Sequence, residues 1–410
     1  MFFFAQTINS VDQKKNIARL GAIDSIVANA IAKEAMPGCV VLALKDGKIA
    51  YHKAFGHFNY DKTEKVYTGS VYDIASVTKI CATTIAVMKL YEEGKIDLKK
   101  NIGNYLPWAK GSNKEHCTIE NMLLHQAGLS PFIAFYKETI DTITGNPSPK
   151  LYAALANDSF SVGVAANLFL RKDWADTMWK RILESPLASQ EKYVYSDNDF
   201  IFLGKIVEAI VGMPLNEYVK KEFYSPLSLS TIGFQPQQYL AIKNIVPTEN
   251  EKQFRKQLIR GTVHDPGAAM FGGVAGHAGL FSNAYDMAMI MQLLLNGGVI
   301  NGQRYLQKET IDLFTGYQSQ ISRRGYGFDK PEKDNSSRKD PYPCRSASSK
   351  TFGHTGFTGT CAWADPTKNL VFIFLSNSVT PDAANTKLSS MNVRAAIFET
   401  LYKALTIPAN

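Results

Sequence analysis

Three times this chain places a lysine three residues after a serine: Ser76–Lys79, Ser189–Lys192 and Ser336–Lys339. On a helix such a pair shares one face. A lysine buried deeply enough to give up its proton can act as base to the hydroxyl, which yields a nucleophile for acyl transfer. The tetrad alone decides nothing, because a serine cap ahead of a solvated lysine has the same spacing. The surroundings separate the three. Ser336–Lys339 lies in "EKDNSSRKDPYPCRSASSK" (332–350), a polar surface loop where nothing desolvates an ammonium. Ser189–Lys192 follows Pro186 in a short connection. Ser76 opens an apolar helix, with Ile80, Thr84, Val87, Met88 and Tyr91 at helical spacing up to Gly94. At that N-terminus, free N–H groups and the helix dipole favour developing negative charge.

Two later stretches add reactive groups. "YVYSDNDFIFLG" (193–204) carries Tyr195, Ser196 and Asp197, and "FGHTGFTGT" (352–360) carries His354, Thr355 and Gly356 in a strand-like run. Ser-x-x-Lys, Tyr-Ser-Asp and His-Thr-Gly in this order resemble the serine β-lactamase and penicillin-binding superfamily. The resemblance is strongest to the branch holding class C β-lactamases, esterases and D-alanyl carboxypeptidases. "LLHQAGLS" (123–130) and "GGVAGHAGLFSNAYDMAMIMQLLLNGG" (272–298) are similar to stretches of that branch, and the likeness covers about residues 17–405. The chain also resembles serine-hydrolase modules fused to bacterial β-N-acetylglucosaminidases. No G-x-S-x-G, H-E-x-x-H or P-loop pattern offers a rival chemistry.

The resemblance implies a β-lactamase/transpeptidase-like fold and an acyl-enzyme formed on Ser76, with Lys79 assisting deprotonation. Tyr195 would exchange protons with nucleophile and leaving group. The backbone N–H groups of Ser76 and Phe357 would form the oxyanion hole, and Asp197, His354, Thr355 and Gly356 would meet the substrate. Glycines 356 and 359 would let that substrate approach the strand. Two departures bear on its identity. His354 stands where many relatives carry a lysine beside a substrate carboxylate, and a neutral imidazole offers no fixed cation. Asp197 stands where an asparagine amide donates to a carbonyl, and an ionised carboxylate only accepts. Asp197 would also keep Lys79 protonated, moving the base role toward Tyr195. These features favour an ester or amide substrate over efficient β-lactam turnover. A true β-lactamase, a D-alanyl carboxypeptidase, or a binding or sensor module acylated without turnover are the alternatives. His264 in "VHDPGA" and His277 in "GHAGLFS" are weaker cleft candidates, and like His125 they read as loop-orienting. Their spacing does not describe a zinc site, so neither metal nor cofactor is expected.

These groups need a frame, and the sequence reads as α+β. Ile17, Leu20, Ile23, Ile26 and Val27 share a helical face within residues 17–35. "CVVLALKDGKIAYHKAFG" follows as two β-rich runs around Asp46–Gly47, a pair favoured in tight hairpins. Near the other end "GTCAWADPTKNLVFIFLSN" reads as strand, turn at Asp365–Pro366 and strand, before the helical "NVRAAIFETLYKAL". The expectation is an antiparallel sheet built from both chain ends (17–69 and 320–410), flanked by terminal helices, with a mostly helical region (70–319) inserted. Residues 1–16 read as an N-terminal extension or signal remnant. "MFFFAQ" resembles the tail of a secretory signal without its basic region, which favours the periplasm or cell envelope.

Composition sets outer bounds. Apolar residues at 45% and charged residues at 20% are ordinary for a globular domain, and no apolar run reaches the length of a membrane span. The +8 net charge is spread along the chain without a basic, aromatic-interleaved run, which argues against nucleic acid. Five cysteines without C-x-x-C spacing read as buried small hydrophobes. The expected partner is a small molecule, a peptide or a cell-wall fragment.

Overall fold

The computed structural model describes residues 10–190 and 192–406; "MFFFAQ" lies outside them. The framing elements are α1 (Ser10–Ala32), β1 (Gly38–Lys45), β2 (Lys48–Gly56), α2 (Ile85–Glu92), α3 (Asp197–Val211), α4 (Ala284–Leu295), β3 (Phe352–Thr355), β4 (Cys361–Asp365), β5 (Leu370–Ser376) and α5 (Val393–Leu405). The five strands form one antiparallel sheet in the order β3-β4-β5-β1-β2. β1 lies against β5 from Cys39 opposite Ser376 to Lys45 opposite Leu370, so the two chain ends share the sheet. Asp46 and Gly47 take φ of 52° and 73°, the left-handed values a two-residue hairpin requires.

β4 and β5 are buried along their whole length and β1 over all but its last residue, which explains their near-continuous apolar spelling. One sheet face packs on the terminal helices, with Ile23 and Val27 of α1 and Ile397 and Phe398 of α5 against Val41, Phe372 and Phe374. The other face, including Val40, Leu42 and Ile373, packs on the inserted region, with Ile290 and Met291 of α4 in the same core. The α+β architecture read from the sequence is the one observed. The insertion also carries two- and three-stranded sheets that the sequence did not reveal, because strands of two to four residues are too short for a period.

The edge strand β3 is placed by bonds that run past it. In the following turn Thr358 Oγ1 donates to the Asp73 carbonyl at 2.8 Å, and Thr360 Oγ1 donates to the Ile74 carbonyl at 3.0 Å. Gly356 makes this close approach possible: a Cβ there would stand 2.5 Å from the Ile74 carbonyl and 2.1 Å from Thr360 Oγ1. The expectation that Gly356 and Gly359 admit substrate is therefore corrected. Gly356 admits the backbone ahead of Ser76, and a Cβ on Gly359, at φ 104°, would meet the hydroxyls of Ser376 and Ser378 at 2.4 Å. Gly356→Ala should lower Tm and, by pushing β3 away from Ser76, lower esterase kcat. A calorimetric melt with a rate assay checks this, and wild-type values for both would contradict it.

Candidate active site

Ser76 does not open a regular α-helix. It sits in a one-turn 3₁₀ segment (Ala75–Val77) that passes into a π-helical segment (Lys79–Thr84) before α2 begins. The wider turn is held from outside. Thr83 Oγ1 donates to the Gly276 carbonyl at 2.6 Å, Tyr224 Oη donates to the Cys81 carbonyl at 2.8 Å, and Thr78 Oγ1 accepts from the Leu280 N–H at 3.1 Å. Such insertions often mark functional sites. Ala75, immediately before the serine, has φ 47°, a strained value for a non-glycine residue, costing about 1–3 kcal/mol. Buried Asp73 pins it: Oδ1 accepts the Ala75 N–H at 2.8 Å and Oδ2 the His264 N–H at 2.6 Å.

Lys79 has no exposed surface. Its ammonium donates to Asp197 Oδ1 at 2.7 Å, Ser76 Oγ at 3.0 Å and the His277 carbonyl at 3.1 Å, which uses all three of its hydrogens. Burial by itself would pull its proton off, but the charge of Asp197 and then Tyr195 outweigh burial and hold Lys79 above the ordinary lysine range. Lys79 in this state is a donor to Ser76, a fixed cation rather than a neutral amine. The Tyr195 ring centroid lies 5.0 Å from its Nζ. Lysines 192 and 339 and their serines are exposed, so neither of the other tetrads has this environment.

His354 lies on β3 with its ring centroid 5.9 Å from that of Tyr195. Its Nδ1–H donates to the Thr355 carbonyl at 2.6 Å, and Nε2 is buried without a partner among the described residues. Burial, then Arg324 and Lys79, push its pKa down to about 3, so the imidazole is neutral across physiological pH. The sequence reading missed the cations on this side. Arg323 and Arg324 line the cleft, but Asp329 meets both, at 2.8 Å and 3.8 Å, and Glu332 takes Arg323 Nη1 at 2.7 Å. No periodic signal marks "SRRGYGFDK", and only the fold brings it beside β3.

The groups gather in a cleft of about 770 Å³, with Ser76, Tyr195, Asp197, Thr355, His354 and Phe357 on its walls. Gly356 is not on the lining. Phe357 is 63% exposed at the mouth, and its backbone N–H makes no hydrogen bond among the described residues. His264 and His277 both reach the cleft, as loop-holding groups: His264 Nε2 meets Glu249 at 2.7 Å while its ring stacks on Phe357, and His277 Nε2 meets Asp265 at 2.9 Å. Asp197, Asp265 and His277 bring donor atoms within 4.8 Å of one another, which is loose cation-ligand spacing. The ammonium of Lys79, already on Asp197, would repel a dication there.

The profile of the Beta-lactamase family matches residues 23–391. The chain belongs to the Beta-lactamase family. The "Putative D-alanyl-D-alanine carboxypeptidase" of Escherichia coli K12 is 33% identical over 388 residues, covering 88% of this chain and 83% of that protein. An N-acetylmuramyl-L-alanine amidase of Bacillus subtilis 168 is 30% identical over 410 residues, covering 91% and 86%. The crystal structure of a penicillin-binding protein homologue from Caulobacter crescentus superimposes with a TM-score of 0.68 at 18% identity, over 94% of this chain and 98% of that one. The chain is thus a serine hydrolase of the β-lactamase-related type, as its motifs implied.

The neutral His354 of this Beta-lactamase relative has a measurable consequence. An unfolded histidine titrates near 6.5. Between about 6.5 and 3 the unfolded chain therefore binds a proton that the folded chain refuses, and stability falls as pH is lowered through that window. From pH 7 to 4, Tm should drop more steeply in the wild type than in His354→Asn. Equal slopes would show that His354 is not held neutral by its surroundings.

Proposed function

We propose that the chain hydrolyses amide bonds in cell-wall peptides through an acyl-enzyme on Ser76, with Tyr195 carrying the proton. The observation that carries this reading is the Ser76–Lys79–Asp197 chain of contacts, 3.0 Å and 2.7 Å, at the wall of the cleft. Lys79 stays an ammonium and orients Ser76 Oγ. Tyr195, beside that ammonium, takes the serine proton as Oγ attacks, then returns it to the leaving nitrogen. The backbone N–H groups of Ser76 and Phe357 receive the developing oxyanion, a type of contact worth about 3–4 kcal/mol. Water follows the same path in reverse to release the acid.

The choice of amide rests on charge. A carboxypeptidase must hold a terminal carboxylate, yet His354 is neutral, Arg323 is taken by Asp329 and Glu332, and Arg324 is only 1% exposed. Lys252, on the exposed rim of the lining, makes no ion pair among the described residues. An internal amide, such as the bond named in the Bacillus relative, makes no demand for a second carboxylate site. The D-alanyl carboxypeptidase reading is kept as the second, on the name of the Escherichia relative. Either substrate would be met in the cell envelope. No helix among the described residues is long and apolar enough to cross a membrane.

The test is a substrate panel with intact mass. A muramyl-L-alanine peptide and a short activated ester should turn over, with kcat/KM above that for a D-alanyl-D-alanine peptide or a penicillin. Ser76→Ala should lose both turnover and the covalent adduct while keeping its Tm. Tyr195→Phe should lose about 10²–10⁴ in kcat. Faster cleavage of the D-alanyl-D-alanine peptide would move the assignment to the carboxypeptidase, and one stoichiometric acylation without steady state would make the protein a sensor.

A further inference from the structure

We propose that His125 is a positioning residue for Tyr195: bonds from its carbonyl and its Nδ1 on either side of the tyrosine fix where the phenol stands. The inference rests on the reading of Tyr195 as proton carrier. His125 belongs to "LLHQAGLS", read from the sequence as structural, and it follows the short helix Ile119–Leu123 with φ 57°. Its carbonyl accepts the Val194 N–H at 2.9 Å, and its Nδ1 accepts the Ser196 N–H at 3.2 Å. Tyr195 is the one residue between those two donors. The imidazole itself packs against the phenol ring, centroid to centroid 4.4 Å.

The rest of the loop completes the support. Ser196 Oγ and Asn198 Nδ2 both donate to the Ser130 carbonyl, at 2.7 Å and 2.6 Å, tying the far end of the motif to the start of α3. Behind the imidazole, Asp199 Oδ2 lies 2.8 Å from Nδ1. Burial pulls His125 well below the ordinary histidine range, and burial followed by Asp197 pushes Asp199 well above the carboxylate range.

A side chain that merely filled this space could be apolar. An acceptor at the Nδ1 position is needed because Ser196 is fully buried and its N–H has no water to turn to. Proton transfer is sensitive to such placement: a displacement of about 1 Å can cost about 10² in rate. The side chains of asparagine and glutamine discriminate here. Asparagine can put its oxygen where Nδ1 is and tolerates positive φ. Glutamine places its polar atoms nearer the Nε2 position.

The experiment is a double-mutant cycle on the full chain with a short activated ester, recording kcat, KM and Tm. His125→Gln should lose about 10² in kcat with KM nearly unchanged, and His125→Asn should recover most of that loss. In a Tyr195→Phe background, His125→Gln should cost almost nothing further, since the group it positions is gone. Should His125→Gln fail to fold, His125→Phe, which keeps a ring and lacks the acceptor, takes its place in the cycle. An equal loss in both backgrounds, or no rescue by asparagine, overturns the positioning role alone. A fully active Tyr195→Phe overturns the role of Tyr195 and this proposal with it, while leaving the Ser76 adduct to stand.

Discussion

A lysine ammonium with no exposed surface is the constraint around which this molecule is arranged. Taking that charge out of water costs several kcal/mol, and only close acceptors offset it. Lys79 finds them on three separate stretches: Asp197 at the start of α3, Ser76 on its own segment, and the carbonyl of His277. Each stretch must then reach the same point. The turn carrying His277 can do so because Gly276 packs against α3, where a Cβ would stand 2.0 Å from the Phe200 carbonyl. Thr83 binds the Gly276 carbonyl from the other side. Removing Asp197 would leave the ammonium short of its counter-ion, and breaking such a buried pair costs about 3–5 kcal/mol. The group that organises catalysis is therefore also one that organises the core.

The same ion pair sets the division of chemical labour. An ammonium that donates to Ser76 Oγ cannot simultaneously be its base, which leaves that role to Tyr195. Tyr195 stands between two neutral imidazoles, His125 at 4.4 Å and His354 at 5.9 Å. Lys79 Nζ lies 5.0 Å from the phenol ring centroid, while Arg323 and Arg324 both meet Asp329 and Arg323 also meets Glu332. Acid and base functions are separated by environment rather than by residue type, which is how buried sites tune groups of ordinary pKa.

Much of this was legible in the sequence. β1, β4 and β5 announced themselves as long apolar runs, Asp46–Gly47 as a hairpin, and the terminal helices by their period. Ser76, Lys79, Tyr195 and His354 were legible through the resemblance their motifs carry, and the fold brings Ser76, Tyr195 and His354 to the cleft wall with Lys79 buried against Ser76. The consequence of Asp197 for Lys79 was also foreseen from charge. Other features were hidden for physical reasons. A π-helical turn at Lys79–Thr84 leaves no mark in a 3.6-residue pattern, because tertiary bonds to Thr78, Cys81 and Thr83 impose it. Arg323, Arg324 and Asp329 reach β3 through the fold, not through sequence proximity. Gly356 looked like a substrate-facing residue because glycine's role depends on which backbone comes near it. His125 looked like a loop residue because its partners, at 194, 196 and 199, lie about 70 positions away.

The charge state of Lys79 is the most direct point of attack. Selective ¹³C labelling of lysine, with Lys79→Arg used to assign the Cε resonance, allows that one amine to be titrated in the folded protein. The account predicts that Lys79 remains an ammonium through the ordinary lysine range, because the charge of Asp197 and then of Tyr195 outweighs its burial. Asp197→Asn should bring that titration down. A neutral Lys79 amine in the wild type between about pH 6 and 9 would return the base role to the lysine and contradict the account.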